Sequence, residues 1–227
     1  MIAEPSREQG IRLLKDYASE FRDWSRYRDA FFLGLWRPCG PVRQNIWLGK
    51  TSIGTYRLSH DISIFIPTLK ACGQQMPWIA MLPHLMGQQV GSRLQDILAT
   101  EHSTRWRQAV SAIEQEFRPD IRKPLDLIEI TSLCEAEERE WSQNDLVMMA
   151  ILFAWQDECD KARQRCIRLQ SIPVPSEVPE MVDWHHQMLA FGMELLNAVE
   201  AGAHIEYLRP VVADASTITG DTNAERD

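Results

Sequence analysis

The chain has 227 residues, 44% of them hydrophobic and 25% charged, which is the make-up of a folded globular protein rather than a disordered one. That length fits one large domain or two small ones, and it buries enough surface to fold without disulfide or metal staples. The net charge of -8 is uneven: residues 1–60 hold ten Lys/Arg against six Asp/Glu, residues 61–119 five of each, and residues 120–227 nine against twenty-one.

Ser6 followed by Gln9 has the spacing of a capping box, and Ile11, Leu14, Ala18 and Phe21 recur on one helical face. A first helix is therefore predicted over 7–24. Phe31 to Arg37 is an apolar, aromatic run broken by Pro38, Gly40 and Pro41, and Val42 to Lys50 is a second run. The third is the cleanest: Tyr56, Leu58, His60, Ile62, Ile64 and Ile66 alternate with Thr55, Arg57, Ser59, Asp61 and Ser63. Period-2 alternation marks a strand with one buried face. The short connection over Thr51–Gly54 favours antiparallel pairing, because a parallel crossover needs a dozen or more residues. Pro77 and Pro83 bracket Trp78 to Leu82, which reads as a fourth strand or a buried loop, and Gly87 and Gly91 weaken a helix after it.

Helical spacing returns at Trp106, Val110, Ile113 and Phe117, closed by Pro119. Leu125–Ile130 stays open between strand and helix. Asn144 is the expected N-cap of one long helix over 145–170, with Ala150, Phe153, Ala154, Ala162, Cys166 and Leu169 inward. Pro173, Pro175 and Pro179 form a stiff extended linker. A last helix is predicted over 180–201, with Met181, Trp184, Met188, Phe191 and Leu195 inward and Gly202 at its end. The expected fold is α+β: an N-terminal helix on a small antiparallel sheet, then a mainly helical C-terminal half. Residues 1–212 are taken as one domain (1–100 helix and sheet, 101–212 helical) and 213–227 as a disordered tail.

The expected setting is cytoplasmic. Five cysteines (Cys39, Cys72, Cys134, Cys159, Cys166) include no CxxC, residues 1–20 lack the apolar core of a signal peptide, and Leu146–Trp155 is too short for a membrane span. No metal or cofactor is expected. His185 and His186 are adjacent and diverge on a helix, His84, His102 and His204 stand alone, and no HExxH or Cys/His array occurs. Gly87 and Gly91 lack the spacing and lysine of a phosphate loop, and no GxSxG is present. Cys159 and Cys166 share a helical face and read as small buried residues. Nucleic-acid binding is disfavoured because no concentrated basic face is visible.

What remains is electrostatic. Glu135, Glu137, Glu138 and Glu140 form one acidic cluster, and Asp157, Glu158 and Asp160 a second. They read either as a solvated face or as the surface that meets a basic protein, whose association complementary charge accelerates. The order of elements resembles that of small bacterial α+β proteins that include immunity proteins paired with antibacterial toxins. The resemblance rests on the pair Val42–Lys50 and Tyr56–Ile66 between one helix and a helical half, on acidity, and on the lack of a catalytic motif. It covers roughly residues 7–170, and it implies a non-enzymatic factor that blocks the active site of a basic toxin. Two other readings stay open. One is an enzyme with a site at the sheet edge using His60, Asp61 or Arg57; the other is self-association through exposed Phe31, Phe32 and Trp36.

Overall fold

The computed structural model describes residues 7–28, 33–52, 55–66, 68–71, 74–75, 78–80, 97–116, 121–136, 141–174 and 179–217. Helix α1 spans Arg7–Glu20 and ends before the predicted boundary, because Phe21 and Trp24 turn the chain, packing at 5.6 Å, and Ser25–Arg28 joins the sheet as β1. Strands β2 (Leu33–Cys39), β3 (Val42–Ser52) and β4 (Thr55–Phe65) follow at the three runs, with β4 where the alternation predicts it and β2 continuing through Pro38. Two short strands, β5 (Lys70–Ala71) and β6 (Gln74–Gln75), pair only with each other, and β7 (Trp78–Ala80) and β8 (Ile97–Leu98) both pair with β4. The main sheet is antiparallel, in the order β1-β2-β3-β4-β7. Gly40, at φ +59, takes the first place in the two-residue loop between Cys39 and Val42, a left-handed position that suits glycine.

The face of β4 carrying Tyr56, Leu58, His60, Ile62 and Ile64 is buried, with Leu35, Val42 and Ile46 of the neighbouring strands beside them. Helix α1 lies against β2, and α2 (His102–Glu116) lies against β4. The buried Tyr17 and Tyr56 hydroxyls meet at 2.8 Å; Tyr56 bonds His102 Nδ1, whose Nε2 lies 2.8 Å from Asp16. Arg37 projects on the same face, opposite Gln44. Its guanidinium bonds Gln44, Asp23 and the carbonyls of Ile121 and Lys123, and lies 4.8 Å over Trp24. One buried cation thus ties the end of α1 and the sheet to the segment that enters the helical half.

That half begins with α3 (Leu127–Glu135), capped by Asp126, whose carboxylate accepts from the Ile128 and Glu129 amides; this settles the open segment as helix. The long helix expected over 145–170 is two helices, α4 (Gln143–Trp155) and α5 (Cys159–Gln170). The N-cap of α4 is Ser142 rather than Asn144: Ser142 and Asp145 form a reciprocal capping box. Every residue from Leu146 to Ala154 is buried, so α4 is the apolar centre around which the other helices pack. It ends in a Schellman turn, with Glu158 N–H to Phe153 C=O at 2.9 Å and Asp157 N–H to Ala154 C=O at 3.1 Å. Asp157, at φ +63, holds the position usually given to glycine. Helix α6 (Pro179–Glu200) ends in the same way, with Gly202 at φ +67 and Ala203 N–H to Ala198 C=O at 2.8 Å. A further helix, α7 (His204–Thr217), was not foreseen and runs past the tail boundary expected at 212. Leu208 and Val211 bury its apolar side, and it packs on α4 and α6. No helix among the described residues is long and apolar enough to cross a membrane.

Candidate functional site

The described members of the acidic clusters do not form a bare negative face. Glu135, at the end of α3, accepts from Lys161 at 3.0 Å and Arg165 at 3.4 Å. Lys161 also bonds Glu158 at 2.8 Å, Arg163 bonds Asp160 at 3.0 Å, and Asp157 bonds His204 at 3.0 Å. Glu158 and Glu135 hold the Lys161 ammonium above its ordinary pKa. The α3–α5 joint therefore brings Glu135 and Glu158 together around one lysine, while Asp160 points away with Arg163. Glu137, Glu138 and Glu140 lie outside the described residues. The basic side chains of α5 fall on these acids because Lys161 and Arg165 are four apart and face α3. Both also lie over Phe153, and Arg165 covers Trp141 at 4.7 Å.

Beside this lattice is a cleft of about 590 Å³, lined by Trp141, Ser142, Gln143 and Asn144 at the start of α4, Ile172 and Pro173 after α5, and Met181 and Trp184 of α6. It forms because the first turns of α6 overhang the capped start of α4. Trp184 donates its indole N–H to Asn144 Oδ1 at 3.3 Å, and His185 Nδ1 meets Gln143 Oε1. Burial first, and then His186, keep His185 below its usual pKa. Met181 is 46% exposed and the neighbouring Val174 50%, so Met181 is not the core residue its helical spacing predicts. The exposed Glu180 and Asp183 stand on the same turns of α6 as Met181 and Trp184. Trp184, whose helical spacing predicts core, is partly buried and packs against the core while it also lines the cleft, and Trp141 is buried on the other side. The cleft is assembled from segments far apart in the sequence, so no local spacing marks it.

The residues named for a sheet-edge enzyme do not converge. His60 is buried among apolar neighbours, and burial, with the nearby Arg37 cation, pushes its pKa down to about 3. Asp61 faces the opposite side of β4, accepting from Asn45 at 2.6 Å and from the Trp47 indole, with its pKa raised by burial. Arg57 shares that opposite face. Trp36 is 2% exposed, packed near Arg43, so it is not the exposed aromatic expected at a subunit interface; Phe31 and Phe32 lie outside the described residues. The Asp16–His102–Tyr56–Tyr17 chain ends on buried phenols, with Tyr17 and Tyr56 both raised (Tyr56 to about 12) mainly by burial. It works as a strut between α1, α2 and β4.

One cluster overturns the reading of His204 as isolated. Asp157 Oδ1, Cys159 Sγ and His204 Nε2 form a triangle: 3.0 Å from carboxylate to imidazole, 3.7 Å from thiol to imidazole and 3.7 Å from thiol to carboxylate. These are three residue types that hold metal ions, and they lie close enough to share one. No protein-family model matches the chain, and no curated protein or solved structure matches it.

Proposed function

We propose that this chain is a non-enzymatic protein-binding factor, and that it receives an apolar side chain of a basic partner in the cleft between α4 and α6. The observation that carries this reading is the cleft itself. Its two tryptophans and exposed methionine are the residue types enriched at protein interfaces, and its volume admits a large anchor side chain. The acidic excess of residues 120–227, with Glu180 and Asp183 beside Met181 and Trp184, selects a partner whose anchor is flanked by Lys or Arg. In the most specific form of this reading the partner is a basic toxin and the chain is its immunity protein, acting in the cytoplasm.

The acidic residues of α3 and α5 take a secondary part, because Glu135, Glu158 and Asp160 already hold Lys161, Arg165 and Arg163. They steer an approaching cation more than they bond it. The test is selection of displayed random peptides on the intact chain, with the Met181→Asp variant as a parallel target. Enrichment of peptides with an apolar residue between basic ones, on the wild-type chain alone, supports the proposal. Peptides that bind both targets equally, or an acidic consensus, overturn it.

A further inference from the structure

We propose that Asp157, Cys159 and His204 bind one borderline divalent cation, with Zn²⁺ the preferred ion, where the α4–α5 turn meets the start of α7. The two Schellman turns build this site. The end of α4 turns Asp157 and Cys159 to one side, and the end of α6 at Gly202 reverses the chain so that His204 opens α7 against them. His204 is 5% exposed and Asp157 lies at the surface, so the triangle has a dry side and an open side.

The spacing fits the ion. Around a tetrahedral Zn²⁺, with bonds of about 2.0–2.3 Å, ligand atoms lie roughly 3.4–3.6 Å apart. The three atoms here stand 3.0, 3.7 and 3.7 Å apart, and Cys159 Sγ lies 3.8 Å from Nδ1 as well, over the ring face, so a turn of the His204 ring and of the Cys159 side chain admits the cation. Charge also fits: one thiolate and one carboxylate cancel the ion, and the thiol proton leaves to solvent as the metal binds. A thiolate with an imidazole selects Zn²⁺ over the oxygen-seeking Mg²⁺ and Ca²⁺. Three protein ligands leave a fourth position for water on the open side. When bound, the ion fastens α7 to the α4–α5 turn, and α7 in turn lies against β3 and β4.

A nucleophilic cysteine is the rival chemistry, and the geometry disfavours it. A thiol–imidazole–carboxylate relay is linear, with thiol and carboxylate on opposite sides of the ring. Here the carboxylate is 3.7 Å from the sulfur itself.

The experiment is equilibrium dialysis of the untagged, metal-stripped full chain with Zn²⁺, followed by competition with a chromophoric chelator and by the Co²⁺ absorption spectrum. Wild type is expected to bind one ion per chain, to show a thiolate-to-cobalt charge-transfer band, and to gain thermal stability on loading. Cys159→Ser removes the band, and Cys159→Ser, His204→Gln and Asp157→Gly each weaken Zn²⁺ at least tenfold. Asp157→Gly guards against misfolding, because glycine suits the left-handed position that Asp157 holds. His186→Ala, on the exposed side of α6, leaves binding unchanged. Equal affinity in wild type and Asp157→Gly, a cobalt spectrum without a thiolate band, or binding abolished by His186→Ala overturns the proposal.

Discussion

Single residues decide where this chain turns, and Gly40 and Gly202, the glycines at positive φ among the described residues, show how much each turn requires. At Gly40 an added Cβ would lie 2.9 Å from the Trp155 indole nitrogen, whereas at Gly202 it would meet nothing within 4 Å. Gly40→Ala is therefore expected to lower unfolding stability by about 2 kcal/mol and Gly202→Ala by about 1 kcal/mol, read from urea midpoints at unchanged slope. Asp157 holds a left-handed position too, and for that reason the one helix predicted over 145–170 is two. A helix stop is legible when glycine marks it, as at Gly202, and illegible when aspartate fills the same place. His60 sets the acid limit of the sheet. It stays neutral in the fold down to about pH 3, while the unfolded chain takes up its proton near 6.5. The stability that follows is present above pH 6.5 and is lost as pH falls toward 3, at about 1.4 kcal/mol per pH unit for this one group. His60→Gln should flatten that loss relative to wild type in denaturation curves between pH 7 and 4; an unchanged slope would count against a buried neutral imidazole.

At the scale of elements, the halves are held together by Arg37, whose donors reach the end of α1, β3 and the strand of chain entering α3. Removing it leaves Gln44, a buried carbonyl of Ile121 and a part-buried one of Lys123 without this donor, so Arg37→Met is expected to cost about 3 kcal/mol or more. Arg37→Lys should recover little, because one ammonium cannot span the same fork of acceptors; full recovery in the lysine variant would contradict the role assigned to the guanidinium. Arg37 was invisible as a hub because it sits next to Pro38 at the end of an apolar run, where a charge reads as the strand leaving the core. β4 was legible because its alternation is strict over its whole length, and α2 and α6 because their apolar residues keep helical spacing. α7 was not, since Pro210 interrupts its pattern and, among its described side chains, the buried apolar ones are Leu208 and Val211.

For the whole molecule, the charge asymmetry of the sequence is real, but among the described residues it does not map onto a single bare face. Acids cluster where bases of α5 meet them, and the apolar cleft lies next door. Its residues lie in three separate segments, 141–144, 172–173 and 181–184, so no local spacing announces it. Truncating an anchor-binding tryptophan typically costs about 2 kcal/mol, roughly thirtyfold in affinity, whereas rim charges act mainly on the association rate. The decisive measurement is the dissociation constant of a cleft-selected basic peptide, or of the partner that carries its sequence, for three chains: wild type, Trp184→Ala and the double variant Glu158→Lys, Asp160→Lys. The account expects Trp184→Ala to weaken binding about thirtyfold at any salt concentration. It expects the double charge reversal to weaken binding a few-fold at low salt and hardly at all at high salt. Loss of binding in the charge reversal with full affinity in Trp184→Ala would place the interface on the acidic lattice and contradict the cleft.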